Sequence, residues 1–222
     1  MENASIYQLA LRSIPGIGDV HTRTLIDHFG DAESVFAKTR KELAVTALRP
    51  DLINAISHFR DFEGFRPVVS RLQQRGIRIL FYKQPGFPRR LARLSTAPAL
   101  LYYQGNADLN AGKIVAVVGT RKPSPYGIQA AGQITRDLAG PGMLIISGLA
   151  FGIDAAAHQA ALDCGVPTVG VLGTGLERIY PAEHYGLAQR MRKNGGLLSS
   201  FQCDDEAATF SFPLRNRLVA GL

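Results

Sequence analysis

The sequence predicts an α/β protein: a doubly wound, mostly parallel β-sheet covered by helices and preceded by a small all-α domain. Three observations support this class. Between residues 111 and 200, short apolar segments alternate with amphipathic ones, which is the order of strands and helices around a parallel sheet. The strand-like segments are apolar at consecutive positions, as expected when helices cover both faces. Residues 4 to 60 instead show only the helical spacing of apolar residues.

The first domain is expected to comprise residues 1–63. Helices are predicted over ASIYQLALRS, over DAESVF, where Asp31 is placed to cap the amino end, and over DLINAISHFRDF. The stretch IPGIGDVHTRTLI fits a helix-hairpin-helix, whose Gly-Ile-Gly turn presents backbone amides to a nucleic-acid phosphate. Thr22 stands where that motif usually keeps a small alanine, so packing against protein is the alternative use of this hairpin.

The second domain is expected to comprise residues 64–222. It opens with a helix, FRPVVSRLQQRG, that ends at Gly76. Two strands, IRILFY and PALLYYQGN, flank a proline-rich turn and a basic segment. The alternating part follows, with strands predicted at IVAVVG, MLIISG, PTVGVLG and GLLSS. The chain stops at RNRLVAGL, inside an apolar helical pattern without a stop signal, so we expect further elements to follow residue 222.

Composition restricts the classes of function. The formal net charge is +7 and the isoelectric point about 9.7, which favours polyanionic partners or an acidic membrane face. Two cysteines, Cys164 and Cys203, are too few for a disulfide framework or a metal cluster. The first residues lack the basic start and apolar core of a signal peptide, and no stretch reaches the ~20 apolar residues of a membrane span. We therefore expect a cytoplasmic protein with reduced thiols.

The carboxyl ends of three predicted strands carry glycine beside a hydroxyl residue. The segments are GTR at residues 119–121, SG at 147–148 and GT at 173–174. Glycine lets backbone amides approach an anion closely, and doubly wound sheets bind ligands at this edge. Arg121 adds a guanidinium that can hold a phosphate through two hydrogen bonds. An anion site is therefore predicted, the alternative being that these glycines only form tight turns.

Known nucleotide-binding fingerprints do not describe this edge. The pattern GxxxxGK[ST] is absent, and GTRKPSPYG does not match GxGxxG, so no dinucleotide cofactor is expected. Asp154 and His158 have the spacing of an acid–base pair on one helix. No nucleophile stands beside them, however, and Asp154 also suits the amino end of a helix. We accordingly expect no catalytic residue, no cofactor and no metal.

The last segment, ATFSFPLRNRLVAGL, combines aromatic and basic residues. Phe210 and Phe212 alternate with small polar residues, and Arg215 and Arg217 flank Asn216. Unpaired bases stack on exposed rings while guanidinium groups contact phosphates, whereas a duplex hides the faces of its bases. The segment therefore favours single-stranded nucleic acid. The alternative is that both rings belong to the core.

Four segments in this order, VAVVGTR, SGLAFGIDAAAH, VLGTGLERIYPAEH and FSFPLRNRLVAGL, resemble the DprA/Smf family of DNA-processing proteins. The helical start resembles that family's sterile-alpha-motif-like (SAM-like) domain. The resemblance implies an extended Rossmann-like fold that binds single-stranded DNA without sequence preference, protects incoming DNA during natural transformation and loads the RecA recombinase. It also implies a homodimer without catalytic activity. The run SFQCDDEAATFSF lacks the family's glutamate-tyrosine-proline-glycine, which leaves the loop there undefined.

The predicted DNA-binding site joins the strand-end pattern to the resemblance. By resemblance, Arg121 binds phosphate, Arg215 and Arg217 complete a basic rim, and Phe212 stacks on a base. The full predicted set is Gly119, Thr120, Arg121, Ser147, Gly148, Gly173, Thr174, Phe212, Arg215, Asn216 and Arg217.

Two other functions stay open from the sequence. The first is a nucleotide-processing enzyme resembling the nucleoside-monophosphate phosphoribohydrolases. Those enzymes carry PGGxGTxxE, of which only GTGLERIY, with Glu177, is present here. The second is a pure interaction module whose partner surface is the helical domain.

Overall fold

The computed structural model describes residues 2–206 and 211–222. Over these ranges the chain divides into two compact units. One is formed by the residues up to 85 together with 95–100, and the other by 86–94 together with 101–222. The division into domains 1–63 and 64–222 stays a prediction. No helix within the described ranges is long and apolar enough to cross a membrane.

The first unit is mainly helical. Its elements are α1 (Glu2–Ser13), α2 (Asp19–Phe29), α3 (Ala32–Phe36), α4 (Arg40–Leu43), α5 (Pro50–His58), α6 (Arg66–Gln74) and strand β1 (Arg78–Phe81). Polar side chains fix where two of the helices begin. The Asp31 carboxylate accepts a hydrogen bond from Ser34 N–H at 2.8 Å, which confirms the predicted cap of α3. Thr39 and Glu42 form a reciprocal capping box at α4.

The second unit consists of a sheet and the helices that pack on it. The elements are α7 (Arg89–Ala92), β2 (Leu100–Gly105), β3 (Lys113–Ala116), α8 (Pro125–Leu138), β4 (Met143–Ser147), α9 (Ile153–Asp163), β5 (Thr168–Val171), α10 (Tyr185–Lys193), β6 (Gly195–Ser199) and α11 (Ser211–Gly221). Within this unit the strand order is β2-β6-β5-β4-β3. Strands β3, β4, β5 and β6 are parallel, and β2 runs antiparallel to β6. The predicted mostly parallel α/β sheet is confirmed.

The arrangement of the parallel strands positions the site. Every residue of β5 and β6 is buried, which explains why these segments consist of apolar and small residues. Helix α9 packs on β4 and β5 and contacts α8 and α10, while α11 contacts α7 and β5. Because parallel strands end at the same edge of a sheet, the loops after β3, β4 and β5 lie together.

Candidate nucleic-acid interface

The loop after β3 carries an exposed basic residue, Arg121. We call residues 119–121 the GTR loop. A side chain at Gly119 would lie 2.6 Å from Ile153 Cγ1, so only glycine fits against the start of α9. The Thr120 carbonyl accepts from Ile153 N–H at 3.2 Å. This loop is therefore held against α9, and the Arg121 side chain is exposed.

The loop after β4 is held by its own polar groups. The Ser147 hydroxyl is buried and donates to the Val117 carbonyl at 2.5 Å. The N–H of Gly148 donates to Asp154 Oδ2 at 3.2 Å. The Ser147 hydroxyl therefore ties β4 to the chain leaving β3, and its hydrogen bond is already directed at protein.

The loop after β5 supports an aromatic ring. A side chain at Gly173 would lie 3.1 Å from the ring of Phe212, so glycine allows the ring to pack close to the backbone. The buried Thr174 hydroxyl donates to the Arg178 carbonyl at 2.5 Å. Like the Ser147 hydroxyl, it stabilises the loop from inside.

Arg215 of α11 is a buried clamp between strand ends. Its side chain is only 5% exposed, and Nη1 donates to the carbonyls of Gly148 and Val171, the latter at 2.9 Å. Nε donates to Asn216 Oδ1 at 2.9 Å. Burial lowers the pKa of Arg215, Asp154 acts in the opposite direction, and Arg121 lowers it further. An arginine remains protonated under these conditions, so the clamp adds positive charge beneath the GTR loop.

Two cavities adjoin these residues. The first has a volume of about 400 Å³, and its lining includes Gly119, Arg121, Gly148, Asp154, Arg215 and Asn216, with apolar residues of β3 and α11. The second is small, about 30 Å³, and brings Arg121 together with Gly173, Thr174, Phe212 and Arg215. The Arg121 guanidinium carbon lies 5.0 Å from the centre of the Phe212 ring, which is cation–π distance. Arg217 is exposed on α11 and is not among the residues that line either cavity.

A third, larger cavity is a weaker candidate. It has a volume of about 690 Å³ and lies at the amino ends of the strands, next to Met143 and Pro167. No lysine or arginine is among its described lining residues, and Asp108 adds negative charge. An anionic ligand is favoured instead at the opposite edge, where two guanidinium groups, those of Arg121 and Arg215, outnumber the one carboxylate of Asp154.

Asp154 and His158 do not form an acid–base pair facing solvent. Asp154 accepts hydrogen bonds from Gly148 N–H and from Ala150 N–H. His158 is fully buried, and its Nδ1 lies 2.7 Å from the Thr168 hydroxyl. That hydroxyl donates to the Ile145 carbonyl, so His158 Nδ1 carries the proton. Burial lowers the pKa of His158 to about 3.

The helix-hairpin-helix in the first unit has a carboxylate at the amino end of its second helix. Asp19, the first residue of α2, accepts from Ala99 N–H at 3.0 Å and lies 3.3 Å from the Arg12 guanidinium. The buried Thr22 hydroxyl donates to the Gly18 carbonyl at 2.9 Å. A carboxylate at this position disfavours a phosphate there. These contacts favour the packing alternative for the hairpin.

Sequence reasoning missed two aromatic residues of the site. Phe151 and Tyr180 line the same small cavity as Arg121 and are 41% and 51% exposed. Their segments, SGLAFGID and IYP, were visible in the sequence, but nothing in the spacing showed that the rings face solvent. Phe210, part of the predicted aromatic pair, lies outside the described residues.

Comparison with known proteins identifies relatives over nearly the whole chain. The family model described as DNA recombination-mediator protein A matches residues 78–222. Protein Smf of Synechocystis sp. is 34% identical over 221 residues, which cover 97% of this chain and 56% of that protein. The DNA processing protein DprA of Bacillus subtilis is 33% identical over 177 residues, or 78% of this chain and 60% of that protein. The chain thus spans somewhat over half the length of these curated relatives.

Two solved structures share the fold. The X-ray structure of DNA processing protein A (DprA) from Streptococcus pneumoniae matches with a TM-score of 0.73 at 29% identity, covering 99% of this chain and 74% of that one. DNA processing protein A from Helicobacter pylori, described for its unique single-stranded DNA binding mode, matches with a TM-score of 0.59 at 33% identity over 65% of each chain. Since the family model covers well over half of the sequence, the chain belongs to the DNA recombination-mediator protein A family, which includes DprA and Smf.

Proposed function

We propose that this chain binds single-stranded DNA, without regard to sequence, at the carboxyl edge of its parallel strands. One observation carries the proposal: the exposed guanidinium of Arg121 lies 5.0 Å from the Phe212 ring beside a cavity of about 400 Å³. A guanidinium next to a ring matches the repeating unit of a single strand, a phosphate followed by a base with a free face. Contacts to the sugar–phosphate chain carry no sequence information.

Single strands are favoured over duplexes for a steric reason. Bases in a duplex are stacked on each other and expose only their edges in the grooves. The rings at this edge therefore contribute to affinity only when the bases are unpaired. The net charge of +7 supports a polyanionic ligand, because positive charge raises the rate and strength of association with DNA.

Membership of the family supports a wider role. We propose that the protein protects incoming DNA, assists loading of the RecA recombinase in the cytoplasm, acts as a homodimer, and does so without catalysis. All eleven predicted residues remain candidates, with Arg121 as the main phosphate ligand. The hydrogen bonds of Ser147, Thr174 and Arg215 to protein carbonyls suit these three to shaping the site, whereas Arg121 is suited to touching DNA.

The test is a comparison of ligands by fluorescence anisotropy, with a labelled oligo-dT strand and a blunt duplex of equal length. We expect much tighter binding of the single strand, weakening as salt rises. Arg121→Ala should weaken it at least tenfold, given ~1.5–3 kcal/mol for a hydrogen bond to a charged group. Equal affinity for strand and duplex would contradict the proposal. Hydrolysis of AMP by the pure protein would instead support the phosphoribohydrolase alternative.

A matched control is available on the same unit. Arg190 of α10 pairs with Asp163 at 3.0 Å. Asp163 is the last residue of α9, so this pair lies one helix length, roughly 15 Å, from the carboxyl edge of the strands. Arg190→Ala removes the same formal charge as Arg121→Ala. Its expected effect on affinity is about twofold or less, because only long-range charge is lost.

A further inference from the structure

We infer that Phe151, held by His184, is a base-stacking platform in addition to Phe212, so that the site holds two unpaired bases of one DNA strand near Arg121. The inference rests on the proposed single-stranded DNA binding and adds a residue to it. Two aromatic pairs carry it. Phe151 contacts His184 with ring centres 5.0 Å apart, and Tyr180 contacts Phe212 at 5.9 Å. Phe151, Tyr180 and Phe212 all line the small cavity beside Arg121.

Phe151 is partly exposed. The plane of its ring makes an angle of 66° with the His184 ring, an edge-to-face contact. Such a contact covers at most one face of either ring. With 41% of Phe151 exposed, part of the residue remains accessible to a planar ligand.

The backbone that carries Phe151 is fixed from several directions. Asp154 Oδ2 accepts from Gly148 N–H and Ala150 N–H at 3.2 and 3.3 Å. His184 Nδ1 donates to the Leu149 carbonyl at 2.9 Å, so the residue that contacts the ring also holds its loop. A ring held in this way loses little conformational freedom when it binds a ligand.

The same loop is fitted against the GTR loop. A side chain at Gly152, which has φ +82°, would overlap the Thr120 carbonyl oxygen. Leu149 has φ +58°, a conformation that is uncommon for a leucine. Folding the core does not require an aromatic ring to be exposed on such a loop, and strained backbone is concentrated at binding sites. The close fit of Gly152 against Thr120 therefore holds the loop that carries Phe151 next to the GTR loop.

The neighbouring guanidinium identifies the ligand class. A ring alone would suit many apolar molecules, but Arg121 lines the same cavity and favours a ligand that carries a phosphate beside each base. Two ring pairs suit two bases. The ligand is therefore single-stranded DNA, and a mononucleotide is the alternative outcome of the test. Loss of one stacked base corresponds to roughly a 5- to 150-fold loss of affinity.

The first experiment uses the absence of tryptophan from the sequence. Phe151→Trp introduces a single tryptophan at the platform, whose emission is separated from that of the seven tyrosines by its longer excitation wavelength. We expect oligo-dT to quench its emission in step with the anisotropy curve. A strand of the same length with abasic sites should bind through its phosphates with little quenching. Binding of oligo-dT without any quenching would overturn the inference. If dTMP quenches the emission as strongly as oligo-dT does, the ligand of this site is a mononucleotide and not a DNA strand.

The second experiment removes the ring. Phe151→Ala should weaken oligo-dT binding at least fivefold and leave the abasic strand within twofold, whereas Arg121→Ala should weaken both. Ile134→Ala, which truncates a 55% exposed apolar side chain on α8, is the matched control. If Phe151→Ala binds oligo-dT as tightly as wild type while Arg121→Ala does not, the platform is refuted and the proposed function stands. If wild type shows no preference for single strands, the proposed function itself fails.

Discussion

Arg215→Met tests whether Arg215 stabilises the fold or only contacts ligand. The substitution keeps an unbranched, flexible apolar side chain and removes the guanidinium. It leaves the carbonyls of Gly148 and Val171, which Nη1 holds, without that donor. An unsatisfied buried polar group costs about 1–3 kcal/mol, and the relief of burying a charge offsets part of the total. We expect a loss of about 2–4 kcal/mol in the free energy of unfolding.

Urea unfolding followed by far-ultraviolet circular dichroism measures this loss. With a slope of ~2 kcal/mol per molar urea, the expected shift of the midpoint is about 1–2 M. The control is Arg217→Met on the same helix, where the side chain is exposed and the effect should stay within about 0.5 kcal/mol. If Arg215→Met unfolds at the wild-type urea midpoint but no longer binds DNA, Arg215 does not stabilise the fold and instead binds the ligand directly.

Three further predictions concern the same edge. For Arg121→Ala, the slope of log affinity against log salt should become shallower by about 0.7, which is the value for one phosphate contact of a single strand. The slope is measured in a titration from roughly 50 to 300 mM salt, and an unchanged slope would show that Arg121 contacts no phosphate. Ser147→Ala should leave oligo-dT affinity within about twofold, because its hydroxyl already donates to Val117, and should lower stability by ~1 kcal/mol; a tenfold loss of affinity at unchanged stability would contradict this. Burial lowers the pKa of His158 to about 3, so its contribution to stability is present above pH ~6.5 and is lost as the pH falls towards 3, by up to ~1.4 kcal/mol per pH unit. The urea midpoint of His158→Gln should therefore fall less between these pH values than that of the wild type, and an equal fall in both proteins would contradict the prediction.

The strand and helix segments were predictable because their signals are local. The runs MLIISG and GLLSS became the mostly buried strands β4 and β6, and IVAVVG became β3, an edge strand whose residues are exposed or half-buried. Their short length and flanking glycines favour a strand over a helix. The cap at Asp31 was predictable for the same reason, because a carboxylate reaches only the amides of the next three residues. The position of Arg121 in a loop directly after β3 also followed from the sequence, because a strand that ends in glycine is followed by a turn.

The roles of the hydroxyl and guanidinium groups were not predictable. Ser147 and Thr174 have the residue types of phosphate ligands, but carbonyls of Val117 and Arg178 accept from them. Arg215 was expected at a rim and is a buried clamp. In each case the partner is a backbone group whose position depends on how loops and strands pack. No pattern of neighbouring residues records that partner.

By itself, the sequence determined that parallel strands end in glycine-rich loops carrying Arg121, because hydrophobic period and turn chemistry act over a few residues. Only the tertiary structure decided which polar groups face solvent and which form hydrogen bonds inside the protein. It also placed Phe151, Tyr180 and Phe212 around one cavity with Arg121. Residues far apart in the chain meet there because packing of α9 and α11 on the sheet, which depends on all of their contacts at once, fixes their distances.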